Sequence, residues 1–528
     1  MSSLDASLAP PPLPAEAALG RWSSWSDRLN PILVREVQQA VKGRMFAAAI
    51  LIALGVTVMI AVYIASNHDP NGNSGQGAFE AGLATLVPLA LFVVPMQAYQ
   101  SMRLELRSGI VEQLLLSRLR PVQILSGKLQ AALVQFVLFV AVVAPTLATS
   151  YLLRGVDLPT IATSLALAGL ACIAATMLAV SSAAQSRNAA TQALANIGTA
   201  FGLGVGTFSV VGLVLSGEFT NGLAALLRSG EFWRVASGVV VVVGYGSLLA
   251  ALSARAFLLH AFENKATPFR VALFAAPLLG CVWASLAFWR MGAAPVIAAL
   301  CFGLLLLSLA FGLFFVTEQR ELSPRVRAHV PATSLLALLT APLLPGRDRG
   351  LLCFLLFVVI NSVVAMLAVN AIGAGAWGGS WNSFRDIYCF TAGYGCIYLG
   401  IGRALRQRLP NTLGGNHAGR ILLPMCVMAF MLVPVLIDVF VHGAPRQWHW
   451  GHVMNPFWTI THFERWTGSG AGPSPTGVPL VFLLMVVGMV LLQLPACLHG
   501  VREVLAASAA RRQRQLPVVA PPSPSPSA

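Results

Sequence analysis

Residues 101–128 read SMRLELRSGIVEQLLLSRLRPVQILSGK. Seven charged side chains, Arg103, Glu105, Arg107, Glu112, Arg118, Arg120 and Lys128, fall within this one stretch. The runs on either side, 79–99 and 129–152, are almost wholly apolar. Leu104, Val111, Leu114 and Leu115 recur at helical spacing, which predicts a helix apolar on one side and charged on the other. Arg120-Pro121 breaks it. Pro121, whose fixed φ suits a first helical position, then opens a second short helix running towards Gly127. So polar an island in so apolar a setting is built to meet water, lipid headgroups or a partner protein.

The setting is apolar throughout. Of 528 residues, 57% are hydrophobic and only 10% charged, and the mean hydropathy is +0.75. Soluble domains carry about 25% charged residues, so the composition excludes an ordinary soluble protein. A net charge of +15 raises nucleic-acid binding, but no RNP-like, zinc-finger or basic-helix signature accompanies it. The excess is that of cytoplasmic membrane-protein loops, and no nucleic-acid partner is expected.

A bilayer-crossing helix needs ~20 apolar residues. Twelve stretches are read as spans: 45–65, 79–99, 129–152, 160–184, 193–215, 235–257, 271–289, 294–316, 351–371, 385–402, 421–441 and 477–498. The fold class is therefore all-α, a polytopic membrane protein of about twelve transmembrane helices. Placing the N-terminus in the cytoplasm puts 27 of the 34 Lys and Arg residues inside. The exceptions are Arg154, Arg228, Arg234, Arg290, Arg385, Arg446 and Arg465. That asymmetry predicts a multi-pass protein of the plasma (cell inner) membrane with both termini cytoplasmic.

The organisation follows. Residues 1–29, Pro/Ala-rich with no basic start or apolar core, read as a disordered cytoplasmic tail rather than a signal peptide. A six-helix region occupies 30–260, a second occupies 261–500, and 501–528 form another disordered cytoplasmic tail. Asn30-Pro31 starts a helix, with Asn30 as cap, Pro31 at the first helical position and a Leu29–Val34 staple. Leu33, Val37 and Val41 line its apolar face. Arg35, Glu36, Gln38, Gln39 and Lys42 line its polar face, as in an interfacial elbow helix on the cytoplasmic leaflet.

In the fifth stretch Gly198, Gly202 and Gly206 recur every four residues, a double small-xxx-small seam for close helix packing. Loop 317–350 is basic (Arg320, Arg325, Arg327, Arg347, Arg349), and its Leu335–Leu344 reads as a short interfacial segment. All eight cysteines, at 172, 281, 301, 353, 389, 396, 426 and 497, lie in apolar spans, which argues for packing rather than a disulfide framework. His442, His449, His452 and His462 share the last exterior loop with Trp448, Trp450, Trp458 and Trp466. His449-x-x-His452 has metal-ligand spacing, but the simpler reading is an aromatic interfacial belt, and no metal is expected.

Catalytic motifs are missing from the sequence. There is no Gly-x-x-x-x-Gly-Lys-Ser/Thr, Gly-x-Ser-x-Gly or His-Glu-x-x-His, and no loop is long enough for a catalytic domain. No span centre carries a carboxylate, which counts against a proton- or sodium-driven carrier. The chain is read as a non-enzyme.

Two motifs resemble those of the ABC-2 type permeases, the membrane subunits of ATP-binding-cassette exporters. One is Asn30-Pro31-x-x-x-Arg35-Glu36. The other is Glu105-x-Arg107-x-Gly109-x-x-Glu112-x-Leu114-Leu115-x-Ser117, continuing through Leu119, Pro121, Ile124 and Gly127-Lys128. Here Ile110 replaces the usual Thr, and Arg107 stands where a second acidic residue is common. The resemblance covers roughly residues 25–260. It implies a permease subunit of an ATP-driven exporter that forms the membrane pathway. ATP and Mg would be bound by a separate ABC-type ATP-binding subunit, with no cofactor in this chain. The ATPase-coupling residues would be Arg103, Glu105, Arg107, Gly109, Glu112, Ser117, Pro121, Gly127 and Lys128, with Glu105 and Glu112 facing the partner because neither gains from anionic lipid. Membrane lipid and further permease subunits, like or unlike, are the other expected partners. The alternatives are a non-transporting membrane component of an envelope machine and a twelve-span secondary carrier. Spans two and five, apolar apart from Gln97, Asn196 and Thr199, point to amphipathic or lipid-like cargo.

Overall fold

The computed structural model describes residues 31–66, 74–117, 119–185, 189–259, 263–288, 294–316, 318, 322–372, 380–408, 416–442, 452–456, 458–460 and 477–515. Asn30, Arg118, Arg320, His449 and the tail 1–29 lie outside these residues. Among them all regular structure is helical, and the chain divides into two compact units, Met1–Leu259 and His260–Ala528.

The first unit begins with α1 (Pro31–Val41) and α2 (Arg44–Ser66). It continues through α3 (Ser74–Pro88), a π-turn (Leu89–Val93), α4 (Val94–Arg107) and α5 (Ile110–Leu116). Then come α6 (Pro121–Leu152), α7 (Leu158–Gln185), α8 (Ala189–Leu215), α9 (Glu218–Arg228) and α10 (Phe232–Leu258). The second unit holds α11 (Thr267–Ala287), α12 (Ala294–Val316), α13 (Pro324–His329) and α14 (Ser334–Thr340). It is completed by α15 (Arg347–Ile372), α16 (Ser380–Arg408), α17 (Asn416–His442) and α18 (Gly477–Gln515).

Ten helices among the described residues are long and apolar enough to cross a membrane, so the chain is a multi-pass all-α membrane protein. Six belong to the first unit and four to the second. The stretches 385–402 and 421–441 also lie in helices, α16 and α17, outside those ten.

The boundaries differ from the sequence reading in four places, each for a physical reason. Pro121 does not open a short helix but α6, which runs unbroken to Leu152 because nothing between Pro121 and the span disrupts the ladder. Leu104 and Val111 are not on one helix. Gly109, at φ +73, takes the left-handed conformation that side-chain-bearing residues avoid, and it separates α4 from α5. The second span is interrupted at Pro88, which has no N–H for the helical ladder, and the chain continues through the π-turn. Residues 501–515, expected as tail, continue α18 because Val501, Val504, Leu505 and Ala507 pack on Leu322, Val326, Val330 and Ala337.

The first core gathers Phe46, Phe79, Leu86, Val94 and Phe139 in one cluster, and Tyr99, Met102, Val180 and Leu258 in another. The second unit has its own core around Leu305, Phe354, Tyr388 and Leu399.

Candidate functional site

The charged island folds back on the elbow helix. Ser101 and Glu105 sit one turn apart on α4 and so share a face. Arg35 Nη2 donates to Glu105 Oε1 at 2.7 Å. Lys128 Nζ donates to Glu36 Oε1 at 2.8 Å and to Ser101 Oγ at 2.7 Å, and lies 2.9 Å from Glu105 Oε2. Ser101 Oγ in turn donates to Glu36 Oε2 at 2.8 Å. Two cations and two carboxylates close a neutral knot joining α1, α4 and the start of α6. Neutrality matters, because each buried ion loses several kcal/mol of hydration that only close partners offset.

Lys128 is 1% exposed and Glu105 4%. Burial alone would raise the Glu36 carboxyl, but the Lys128 ammonium and the hydrogen bonds from Lys128 and Ser101 outweigh it and hold it below its ordinary value. This corrects the sequence reading of α1. Glu36 belongs to the buried face with Ile32, one turn before it, while Val41 is exposed. It also corrects the reading of Glu105 as a partner-facing residue, since its carboxylate is used inside the knot.

The remaining coupling candidates separate by position. Glu112 is exposed on α5, beside exposed Gln113 and Leu116, while Val111 anchors that helix inward. Arg107 is exposed and its Nε donates to Gln192 Oε1 at 2.6 Å, tying the hairpin to α8. Arg103 is half-buried, and Ser117, also exposed, donates to the Leu114 carbonyl. Arg120 N–H donates to Gln123 Oε1 at 2.8 Å, capping α6 ahead of Pro121, and Gly127 is buried beside Lys128.

The glycine seam is open. A Cβ placed at Gly198, Gly202 or Gly206 meets nothing within 4 Å among the described residues. Ile197, Phe201, Val205 and Phe208 around it are exposed.

A cavity of about 250 Å³ lies in the first unit between Leu83 and Val87 of α3, Ala90 and Leu91 of the π-turn, Ala168 and Ala171 of α7, Val210 and Val214 of α8, Phe219 of α9 and Val239 and Val243 of α10. Its lining is apolar apart from Ser164, whose hydroxyl donates to the Thr160 carbonyl.

Several charged residues that sequence reasoning left in loops are buried. Arg270, fully enclosed, donates to the Pro342 and Leu344 carbonyls and to Glu318 Oε2 at 2.8 Å, with its guanidinium 5.1 Å from the Phe315 ring centre. Arg403 Nη2 donates to Asp348 Oδ1 at 2.8 Å and its Nη1 to Gln493. Buried Arg349 reaches Glu503 at 2.7 Å, where exposed Arg327 also arrives, at 3.0 Å. The one sequence signal was Arg347-Asp348-Arg349 at the head of an apolar run, where an acid between two bases marks a paired cluster rather than a basic loop.

His452 is enclosed by protein. It is buried, with Nε2 3.1 Å from Asp438 Oδ2 and Trp458 5.4 Å away, ring centre to ring centre. Its segment is held by Tyr394, which donates to the Val453 carbonyl, and by Asn455, which donates to the Met431 carbonyl. No group of three or more His, Cys, Asp or Glu side chains with metal-site geometry occurs among the described residues.

Comparison with protein-family models, curated proteins and solved structures finds no match to this chain. What the arrangement offers is mechanical: a rigid, charge-locked junction carrying a short exposed helix at the end of two long membrane helices.

Proposed function

We propose that this chain is the permease subunit of an ATP-driven exporter of the ABC-2 type, working with a separate ABC-type ATPase. The observation that carries the reading is the knot of Arg35, Glu36, Ser101, Glu105 and Lys128. It welds the elbow helix to the roots of the hairpin and leaves α5 outward. A push on α5 is then delivered to α4 and α6 together, since covalent continuity and buried ion pairs resist independent movement. Glu112 and Gln113 are the contact residues in this scheme, while Glu105 and Lys128 transmit. The charges on α5 set register with the partner more than affinity. The Lys/Arg asymmetry supports an inner-membrane location with cytoplasmic termini, where ATP is available. The apolar cavity favours hydrophobic or lipid-like cargo.

The test is co-purification of the chain with an ABC-type ATPase encoded beside it, with and without Glu112→Lys and Gln113→Lys. The expected result is loss of the ATPase with membrane insertion intact. Retention of the ATPase at the unsubstituted level would overturn the role of α5.

A further inference from the structure

Between α12 and α15, both long apolar helices, the chain folds into α13, α14 and a 3-10 turn (Ala341–Leu343). On α14 only Ala337 faces inward, and with Ala341 it packs on Val504 of α18. Leu335, Leu336, Leu338 and Leu339 face outward at 69, 52, 48 and 63% exposure. Four adjacent leucines held away from the core on a seven-residue helix have no reason to be apolar unless something apolar covers them.

The surroundings say what. Because α12 and α15 are of membrane-spanning length, the segment joining their ends lies at the level where hydrocarbon gives way to headgroups. The carboxylate that borders it, Glu503, is taken up by Arg349 and Arg327. No carboxylate occurs from Leu322 to Gly346 or from Val504 to Gln515, while Arg325 and Arg512 are exposed there. The leucine helix is also held in place. Arg512 donates from Nε to the Ala332 carbonyl at 3.1 Å and from Nη2 to Ser334 Oγ at 2.7 Å. Arg511 donates to the Val330 carbonyl at 2.7 Å, and Ser508 to the Ala332 carbonyl at 3.0 Å. A preorganised apolar face beside arginines with no carboxylate partner among the described residues matches the interface of an anionic leaflet, with acyl chains for the leucines and lipid phosphates for the guanidinium groups.

We infer that Ser334–Leu343 is a membrane-interface anchor whose leucines insert into the acyl boundary of an anionic leaflet while Arg325 and Arg512 bind its phosphates. This inference rests on the membrane-spanning fold alone and is independent of any ATPase. It assigns loop 317–350 a lipid partner, where the same position between spans in the first unit presents Glu112 and Gln113 on α5.

The full chain, with Cys281, Cys389 and Cys426 replaced by Ala because the other five cysteines are buried, is spin-labelled at Leu336→Cys or, separately, Leu339→Cys. It is then reconstituted into vesicles of phosphatidylcholine with or without phosphatidylglycerol. The expected result is relaxation by oxygen several-fold stronger than by a water-soluble nickel chelate in the anionic vesicles. That ratio should fall several-fold in pure phosphatidylcholine and in Arg325→Gln. Dominant relaxation by the nickel chelate would mean a solvent-facing patch, and shielding from both reagents would mean a protein cover; either overturns the anchor. A ratio unchanged by lipid charge would overturn the phosphate contacts. Two label sites guard against one variant failing to fold.

Discussion

Lys128 Nζ donates to Glu36 Oε1 at 2.8 Å across 92 residues of chain, in a site where both side chains are buried. That bond ties α1 to the far side of the hairpin. Its energetics are those of a buried pair: close to neutral when complete, costly when half of it is removed.

Lys128→Met should therefore destabilise the protein by about 3–5 kcal/mol, because Glu36 and Glu105 are left facing each other without their shared cation. Adding Glu36→Gln should recover part of the loss, since Arg35 still neutralises Glu105 at 2.7 Å. Thermal unfolding of the purified variants in detergent checks both. A double variant no better than the single would show that charge is not the cause.

The same knot predicts a response to acid. Glu36 is held below its ordinary value of 4.5 in the folded protein. Its contribution is therefore fully present above pH 4.5 and is lost as pH falls through the lower folded value. Burial pushes the Glu105 carboxyl up, so the Glu36 contribution is read by difference: below about pH 4.5 the melting temperature of the unsubstituted protein should fall more steeply than that of Glu36→Gln.

Two glycines should behave oppositely. A Cβ at Gly350 would lie 2.5 Å from the Phe315 carbonyl oxygen, where α12 and α15 cross. Gly350→Ala should cost about 1–3 kcal/mol through overpacking. Gly202→Leu has open space around it and should change stability by less than about 0.5 kcal/mol. If the seam meets another copy, the variant changes oligomeric state instead. Melting curves and size-exclusion light scattering separate the two effects.

In the second unit, Asp438→Asn should weaken the contact with His452 and loosen the segment from His452 to Ile460. A cost of about 1–3 kcal/mol is expected for disturbing a buried polar pair. Because the Trp458 ring lies 5.4 Å from that of His452, its fluorescence should become more quenchable in the variant. Unchanged quenching would place the hold elsewhere, on Tyr394 and Asn455.

Hydrophobic run length was enough to read an all-helical membrane protein, because crossing a bilayer is a local requirement that each run of apolar residues meets by itself. Helix starts at Pro31 and Pro121 were legible for the same reason: capping and proline chemistry act over a few residues. Which charges face outward was not. Periodicity put Glu36 on the wet face of its helix and left Glu105 free for a partner. Both are buried because Lys128 and Arg35, 92 and 70 residues away respectively, arrive to neutralise them. The inward turn of Arg270, Arg403 and His452, and the openness around Gly202, were equally hidden. Each depends on which helices become neighbours, a long-range outcome of packing that no local pattern encodes.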